Sequence, residues 1–510
     1  MTSLIQDRPS RASTAAFGKA PRSFLAECRR PIWSSILLGL LGFLVSFLGS
    51  WIPSPWLDEA ATAHIIKYSV ADMLQLWQHI DGVFAPYYLF IHFWVKMTGL
   101  TPFALQLPSL LAVGVGTAAM AATGRAVAGW KSQLSYAACF ALLPRVTAMG
   151  IEARPYAMSA AFTALALLAV VKLHQGKSAR YWVLLGFSMI GAVGAHLFAA
   201  LPIIGLVLVA IVVFPRRLKL SLVATSVVSG IVCLPLAMVG VHQQQQVSWI
   251  ANAPFNIPNQ ALVEAWFPSR LDPRSSLLLA SVAVSLSILA ALTVLIALLA
   301  GQRPLPRARL ALAAVPPLLA VGVLWADSIV AEPVVLGRYF TSSTPFFAML
   351  LAECIMLLPV YLKQLIALLL AVGCLVLIVS QREPYAKMPA NDYSFIASSL
   401  RDQAKRGDGL LIEPSPGGTN TARSAMDLYP SDFGDLVDIA QPHPAPLDYP
   451  ISVDVPIVGF STGTPLPSHI WLVTEVGQDS KWAAQLTNVG FKPTSASSGP
   501  AHTVTLWTRT

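Results

Sequence analysis

Two adjacent carboxylates, Asp58 and Glu59, follow the first long apolar run of the chain directly, in the sequence Trp56-Leu-Asp-Glu-Ala60. Ionisable groups beside a bilayer are costly, so a pair of them at the end of a membrane-length segment needs a reason. One carboxylate could act as a general base toward a hydroxyl group, or could hold a metal ion that does so. The alternative is structural, because acidic residues also stabilise the first turn of a helix.

A second charged cluster, Glu152-Ala-Arg154-Pro-Tyr156, separates two later apolar runs. Pro155 fits the first turn of the following helix, where its missing N–H does no harm. Arg154 could bind a phosphate, with Glu152 orienting it or ligating a metal. The alternative is a Glu–Arg pair that closes a tight turn.

Three further positions are candidates for substrate binding. Arg338-Tyr339 enters a late apolar run, where an arginine on the outer side needs an anionic partner: a lipid headgroup, a ligand phosphate or Glu332. His196 lies between two closely spaced runs, although a lone histidine there is more often an ordinary turn residue. Trp249 could stack on a sugar or belong to the aromatic belt of a membrane interface.

The composition indicates a polytopic membrane protein. Only 12% of the 510 residues are charged and 55% are hydrophobic, with a mean hydropathy of +0.63, and a soluble protein carries about twice that charged fraction. The net charge of +9 comes from short basic clusters between apolar runs. Such clusters are topology signals, which excludes a nucleic-acid partner. The five cysteines show neither a disulfide framework nor a metal knuckle.

Eleven membrane spans are predicted from apolar runs of about 17–25 residues. They are 33–52, 103–123, 132–150, 156–174, 180–195, 197–214, 219–240, 276–300, 308–328, 340–360 and 363–380. The aromatic segment 86–98 is predicted to be an interfacial helix instead. Counting it as a span would move the basic clusters at 216–219 and 303–309 to the outer side, against the positive-inside rule.

This topology places the N-terminus in the cytoplasm and two large pieces, the first loop (residues 53–102) and the C-terminal segment, outside the cytoplasmic membrane. The predicted domains are a cytoplasmic tail (1–32), a membrane module (33–380) and a small extracytoplasmic α/β domain (381–510). In that domain a helix is predicted at Tyr393–Lys405, with strands at Gly409–Glu413, Ile470–Val473 and Thr503–Trp507. Residues 414–468 are predicted to form long loops.

Six short motifs follow one another along the chain: WLDEA at 56–60, YYLFIHFW at 87–94, QLPS at 106–109, EARPYAM at 152–158, the histidine of GAHLF at 194–198 and RYF at 338–340. Their order resembles that of the C-type membrane glycosyltransferases. The resemblance covers roughly residues 33–380. The chain is similar to the protein O-mannosyltransferases and the lipid A aminoarabinose transferases, and most closely to bacterial, actinobacterial mannosyltransferases.

The resemblance implies an inverting transfer of a sugar, a mannose or a pentose, from a polyprenyl-phosphate donor to a glycan, lipid or protein acceptor among the membrane lipids. Asp58 stands at the family's catalytic carboxylate and Glu59 at its supporting acid. The expected substrate-binding residues are Asp81, Tyr87, Glu152, Arg154, Tyr156, His196, Trp249, Arg338 and Tyr339.

Two departures from the family pattern affect these expectations. Relatives often have HPPLYY where this chain has Val83-Phe-Ala-Pro-Tyr-Tyr88, and RLPS where it has Gln106-Leu-Pro-Ser109. The missing histidine makes a divalent metal cofactor less certain. A flippase for lipid-linked sugars is the alternative function, but it would need charged or broken helices near the bilayer midplane. An inactive scaffold is disfavoured because the chain retains five charged site residues together: Asp58, Glu59, Glu152, Arg154 and Arg338.

Overall fold

The computed structural model describes residues 31–252, 256–269, 276–299, 307–331, 333–388, 390–413, 422–439 and 466–510. The predicted tail therefore lies, except for its last two residues, outside the described residues. Up to Ser380 the described chain is helical, and beyond it a sheet appears. The helices of the first part are α1 (Pro31–Phe47), α2 (Leu57–Ile65), α3 (Val70–Leu76), α4 (Ala85–Thr98), α5 (Pro102–Ala128), α6 (Trp130–Ala141), α7 (Pro144–Gly150), α8 (Tyr156–His174), α9 (Arg180–Ala195), α10 (Ala200–Val213), α11 (Arg216–His242), α12 (Trp249–Asn252), α13 (Ile257–Asn259), α14 (Ser276–Leu299), α15 (Arg307–Val330), α16 (Thr344–Leu357) and α17 (Val360–Ser380).

Within the described residues, seven helical segments are long and apolar enough to cross a membrane, which confirms the polytopic helical class. They are Pro102–Ala128, Tyr156–His174, Arg216–His242, Leu277–Leu299, Arg307–Val330, Gly337–Leu357 and Val360–Ser380. Three other predicted spans correspond to shorter apolar helices, Ile32–Phe47, Arg180–Ala195 and Leu197–Val213. The predicted span 132–150 is not one continuous helix. It is divided into α6 and α7 because Pro144, which has no N–H to donate, begins a new helix.

Close contacts between small residues hold the first helix against the bundle. A Cβ atom added at Gly42 of α1 would lie 2.3 Å from the hydroxyl oxygen of Thr117 in α5. Helix α8 is buried along most of its length and packs on α5 and α9, whereas α11, α14 and α17 are largely exposed. An apolar, exposed helix surface is suited to lipid. Because α1 and α8 both pack on α5, the polar ends of α1 and α8 are fixed relative to each other.

The C-terminal segment forms the small α/β domain predicted from the sequence. Its helices are α18 (Tyr393–Arg401), α19 (Ser424–Leu428), α20 (Pro430–Phe433) and α21 (Lys481–Asn488). Its strands are β1 (Gly409–Ile412), β2 (Val437–Asp438), β3 (His469–Glu475), β4 (Phe491–Ser498) and β5 (His502–Arg509). The strand order is β2-β1-β3-β5-β4. Strand β1 pairs parallel with β2 and β3, and β5 pairs antiparallel with β3 and β4.

The prediction of loops throughout 414–468 is wrong where α19, α20 and β2 form. These elements are two to five residues long, too short to show a hydrophobic period in the sequence. The parts of the predicted loop at 414–421 and 440–465 lie outside the described residues.

One hydrophobic core joins the first loop to the C-terminal sheet. Ile65 of α2 and Tyr88 of α4 are fully buried together with Tyr393 and Ile396 of α18 and Val473 of β3. The opposite face of the sheet packs on α21 through a separate cluster that contains Trp482 and Leu486. Helix α2, which carries the two carboxylates, is therefore enclosed between the helical bundle and the sheet.

Candidate active site

The start of α2 gives its two adjacent carboxylates opposite environments. Trp56 precedes the helix, and its backbone N–H donates to Oε2 of Glu59 at 3.1 Å, which satisfies one free donor of the first turn. The side chain of Glu59 is 1% exposed and that of Asp58 is 25% exposed. Of the two acids, Asp58 is the one that a substrate can reach.

Groups from three segments donate hydrogen bonds to the carboxylate of Glu59. Besides the Trp56 N–H, it accepts from the Ala153 N–H at 2.8 Å and from Nζ of Lys387 at 2.7 and 2.9 Å. Burial raises the pKa of Glu59 above its ordinary value, and the charge and hydrogen bonds of Lys387 oppose that rise. This geometry fits the supporting role expected for Glu59.

Two buried arginines lie on either side of Asp58. Nη1 of Arg338 is 3.5 Å, and Nε of Arg154 is 4.0 Å, from Oδ2 of Asp58. The Arg338 guanidinium lies over the ring of Trp56 at 5.2 Å and that of Arg154 over the ring of Phe84 at 4.5 Å. The Nε atoms of both arginines have no hydrogen-bond partner among the described residues. The site thus has two positive charges against one negative charge, and two Nε–H donors without a hydrogen-bond partner among the described residues. Such an environment favours the binding of an anion such as phosphate.

A hydrogen-bonded chain connects Arg154 to Asp81. Nη1 of Arg154 donates to the hydroxyl of Tyr88 at 3.1 Å, and that hydroxyl donates to Oδ2 of Asp81 at 2.8 Å. Asp81 has a left-handed backbone with a φ of 55°, and its N–H donates to the side chain of Gln246. Burial raises the pKa of Asp81, while the charge of Arg154 opposes the rise. Asp81 thus supports Arg154 through Tyr88.

A tight backbone contact places Arg338. The Gly337 N–H donates to Oε1 of Gln260 at 2.8 Å, and a Cβ at Gly337 would lie 2.7 Å from the carbonyl carbon of Glu264. Because no side chain fits there, the 3₁₀ helix Gly337–Ser343 can pack directly on the π-helix Gln260–Glu264. The next residue, Arg338, then extends toward Asp58.

Aromatic rings form the wall beside the arginines. His196 lies 5.3 Å from the ring of Tyr156 and 5.7 Å from that of Tyr339, and Phe198 is 4.9 Å from Tyr339. Burial lowers the pKa of His196 to about 3, with a smaller contribution from the charges of Arg154 and Arg338. A neutral imidazole in an aromatic wall is suited to contact a sugar ring rather than to bind a phosphate.

The remaining predicted site residues differ in how they are placed. Tyr87 is buried within the core shared by α2 and α4. Glu152 is buried and lines a small cavity of about 30 Å³ with Arg145, Gln381 and Lys387. Trp249 is 47% exposed, and its role in substrate binding stays a prediction. In the parts of the chain that the structure describes, no three His, Cys, Asp or Glu residues form a metal-binding group; a divalent metal also stays a prediction.

Lys387, Tyr88 and Phe84 are the site residues that sequence reasoning missed. The sequence contained an indication that Lys387 has a specific partner. It follows the predicted span 363–380 on the outer side, where the positive-inside rule disfavours lysine. The same observation singled out Arg338. Phe84 and Tyr88 lie in the quoted segment Val83-Phe-Ala-Pro-Tyr-Tyr88, where their aromatic type alone did not distinguish them from core residues.

No protein-family model and no curated protein matches the chain. Among solved structures, ArnT from Cupriavidus metallidurans in the apo state matches 92% of this chain and 97% of its own, with 12% identity and a TM-score of 0.50. ArnT bound to undecaprenyl phosphate matches over the same shares, with 12% identity and a TM-score of 0.52. The chain has the ArnT fold. The resemblance to the C-type membrane glycosyltransferases is thereby confirmed at the level of the fold, whereas the closer likeness to actinobacterial members stays a prediction.

An oligosaccharyltransferase from Archaeoglobus fulgidus, tethered to an acceptor peptide, matches 80% of this chain and 64% of its own, with 10% identity. Its TM-score of 0.43 is too low to establish a shared fold. At 12% identity the ArnT fold does not assign a substrate to this chain, so the function must be argued from its own residues.

Proposed function

We propose that this protein is an integral membrane glycosyltransferase that moves a sugar, a mannose or a pentose, from a polyprenyl-phosphate donor to an acceptor hydroxyl. The observation that carries the proposal is the partly exposed carboxylate of Asp58, flanked by the buried guanidinium groups of Arg154 and Arg338. The binding of undecaprenyl phosphate by ArnT, which has the same fold, supports a lipid phosphate as the donor.

In the proposed reaction the acceptor oxygen attacks the anomeric carbon of the donor sugar, and the bond from that carbon to the phosphate oxygen breaks. Asp58 accepts the proton of the attacking hydroxyl, so the acceptor leaves as a neutral glycoside. The bond electrons go to the phosphate, which departs as polyprenyl phosphate. Attack opposite the leaving group inverts the anomeric configuration.

The two arginines fit the leaving group. A departing phosphate is an anion, so it needs positive charge more than it needs a general acid. Both guanidinium groups lie over aromatic rings, Arg154 also donates to Tyr88, and Arg338 forms an ion pair with Asp58, so both are positioned before any substrate arrives. Their Nε–H groups have no hydrogen-bond partner among the described residues and could donate to phosphate oxygens. A polyprenyl chain cannot leave the bilayer, and both arginines lie at the ends of membrane-length helices.

The experiment that tests the proposal is donor consumption by purified protein in detergent, with polyprenyl-phosphate mannose and polyprenyl-phosphate arabinose. Asp58→Asn keeps the size of the side chain and removes its basicity, so we expect at least a 100-fold loss of kcat, in the roughly 10²–10⁴ range for general acid–base catalysis. Asp72→Asn, in the first turn of α3 where the carboxylate accepts from the Ser69 hydroxyl, is the matched control.

A folded Asp58→Asn variant with the wild-type rate would exclude Asp58 as the base. Wild-type protein that consumes neither donor, while transporting a lipid-linked sugar across vesicle membranes, would replace the transferase by a flippase.

A further inference from the structure

A buried ion pair joins the reactive end of α2 to the segment that follows the last membrane helix. Nζ of Lys387 contacts both carboxylate oxygens of Glu59, and the lysine side chain is 3% exposed. The amide oxygen of Gln106, in the orientation that satisfies both groups, lies 3.1 Å from the same Nζ. The three N–H donors of the ammonium group thus have three acceptors.

The same carboxylate fixes residues adjacent to each charged group of the candidate active site. Glu59 follows Asp58 in the chain, and it accepts from the N–H of Ala153, which precedes Arg154. It also accepts from the N–H of Trp56, whose ring lies under Arg338. A change in the charge or orientation of Glu59 would therefore move three groups at once.

A second set of contacts connects the two segments at the first residue of the helix. Oδ1 of Asn391 accepts from the Leu57 N–H at 2.9 Å. The Ser54 N–H donates to the carbonyl of Pro384 at 2.6 Å, and the Ser394 N–H donates to the hydroxyl of Ser54 at 3.2 Å. Residues between Pro384 and Ser394 thus contact the chain on the N-terminal side of Asp58.

We propose that Lys387, assisted by Asn391, is a positioning residue for the transfer reaction, so that the junction between α17 and the C-terminal sheet is part of the active site. The proposal rests on the proposed function. The charge and hydrogen bonds of Lys387 favour the ionised form of Glu59, and an ionised carboxylate is acceptor-only, so its two oxygens can accept from Trp56, Ala153 and the lysine together. A protonated Glu59 would turn one acceptor into a donor and release the start of α2.

The other groups that face Glu59 do not replace the lysine. Glu152 carries the same charge and favours the neutral form of Glu59, as burial does. Tyr87 and Tyr429 are near enough for the charge of Glu59 to raise their pKa, in addition to the larger effect of burial, so both phenols stay neutral. Removal of Lys387 would consequently raise the pKa of Glu59 further.

The test compares Lys387→Met with Lys387→Arg, which keeps the positive charge, and with Lys405→Met, an exposed lysine of the same domain. We expect Lys387→Met to lower kcat about tenfold or more at neutral pH with little change in KM, since a misplacement of about 1 Å can cost about 100-fold. Because Glu59 acts ionised, activity is present above its pKa and is lost as the pH falls through it. The acid limb of the Lys387→Met profile should therefore move to higher pH, with partial recovery in alkaline buffer. Lys387→Arg should retain more activity than Lys387→Met.

A folded Lys387→Met variant with the wild-type kcat and pH profile would overturn the proposal. If this variant does not fold, the Asn391→Ala variant tests the proposal instead. We expect its kcat to be several-fold lower and its amide hydrogen exchange across 56–62 to be faster. Wild-type values for both would overturn the proposal. Hydrogen exchange also separates the two proposals. If the wild-type protein shows no transfer activity, the proposed function and with it the positioning role are refuted. If the wild-type protein is active but Lys387→Met leaves hydrogen exchange unchanged, the positioning role alone is refuted.

Discussion

Replacement of Arg338 by glutamine removes one of the two cations beside Asp58. Nη1 of Arg338 is 3.5 Å from Oδ2 of Asp58, and the side chain is largely buried. Unit charges about 4 Å apart interact by about 4 kcal/mol at an effective dielectric constant near 20. A departing phosphate gains negative charge in the transition state, so a large part of such an interaction is lost with the guanidinium. A loss of about 3 kcal/mol corresponds to a kcat lower by a factor of about 150.

The charge-preserving variant Arg338→Lys separates charge from geometry. Lysine keeps the cation but loses the planar group that lies over Trp56 and the several donors directed at once toward an oxyanion. We expect a reduction of about tenfold, equivalent to about 1.4 kcal/mol. Arg401→Gln is the matched control, because the Arg401–Asp432 ion pair is exposed and such pairs contribute at most about 1 kcal/mol.

The assay is steady-state transfer from the polyprenyl-phosphate sugar, with kcat and KM determined separately and the affinity for undecaprenyl phosphate measured on the same preparations. We expect Arg338→Gln to lower kcat and to weaken binding of the lipid phosphate. A folded Arg338→Gln variant that keeps kcat within threefold of the wild type, and binds the lipid phosphate equally well, would refute the assignment of Arg338 to the leaving group.

Two further predictions concern the supports of the site. Tyr88→Phe removes the hydroxyl that links Arg154 to buried Asp81. The groups left without a partner should lower the free energy of unfolding by about 1–3 kcal/mol, and the transfer rate should fall. Tyr361→Phe, at an exposed position, is the control, and an unchanged transfer rate in Tyr88→Phe would contradict the prediction. Burial acts to raise the pKa of Asp427, but hydrogen bonds and charge from His64 and Lys67 hold it below its ordinary value of 3.8. The stability that this carboxylate contributes is therefore present above pH 3.8 and is lost as the pH falls below it. Asp427→Asn should loosen the contact between α2 and the C-terminal domain at neutral pH, and limited proteolysis should become faster. A wild-type digestion rate at neutral pH would contradict this prediction.

The sequence was most informative where a charged residue lies at the end of an apolar run. Burying or placing a charge at a membrane boundary is costly, so Asp58, Arg154 and Arg338 could be singled out without coordinates. The structure brings these three together within 4.0 Å. The membrane class, the helix at Tyr393 and three strands of the C-terminal sheet were predictable for a similar reason, because hydrophobic periodicity is a local property.

Long-range pairing was not predictable. Glu59 and Lys387 are 328 residues apart, and the core that joins α2 to β3 depends on how the C-terminal sheet packs. The break at Leu143-Pro144 was missed because the run 132–150 keeps its apolar composition across it, although proline was a signal for a helix boundary.

The separation of Glu59 from its cation has a consequence for biosynthesis. The ribosome makes Glu59 early, and Lys387 emerges only after 328 more residues, which takes between about 16 and 66 s at roughly 5–20 residues per second. During that interval Glu59 lacks the cation that offsets the cost of burying its carboxylate. Both arginines are synthesised before Lys387 as well, but until Lys387 emerges, Glu59, which accepts from the Ala153 N–H beside Arg154, lacks its lysine. A nascent chain therefore carries Asp58, Arg154 and Arg338 before it carries the lysine that holds Glu59, and the candidate site can be completed only after Lys387 has emerged.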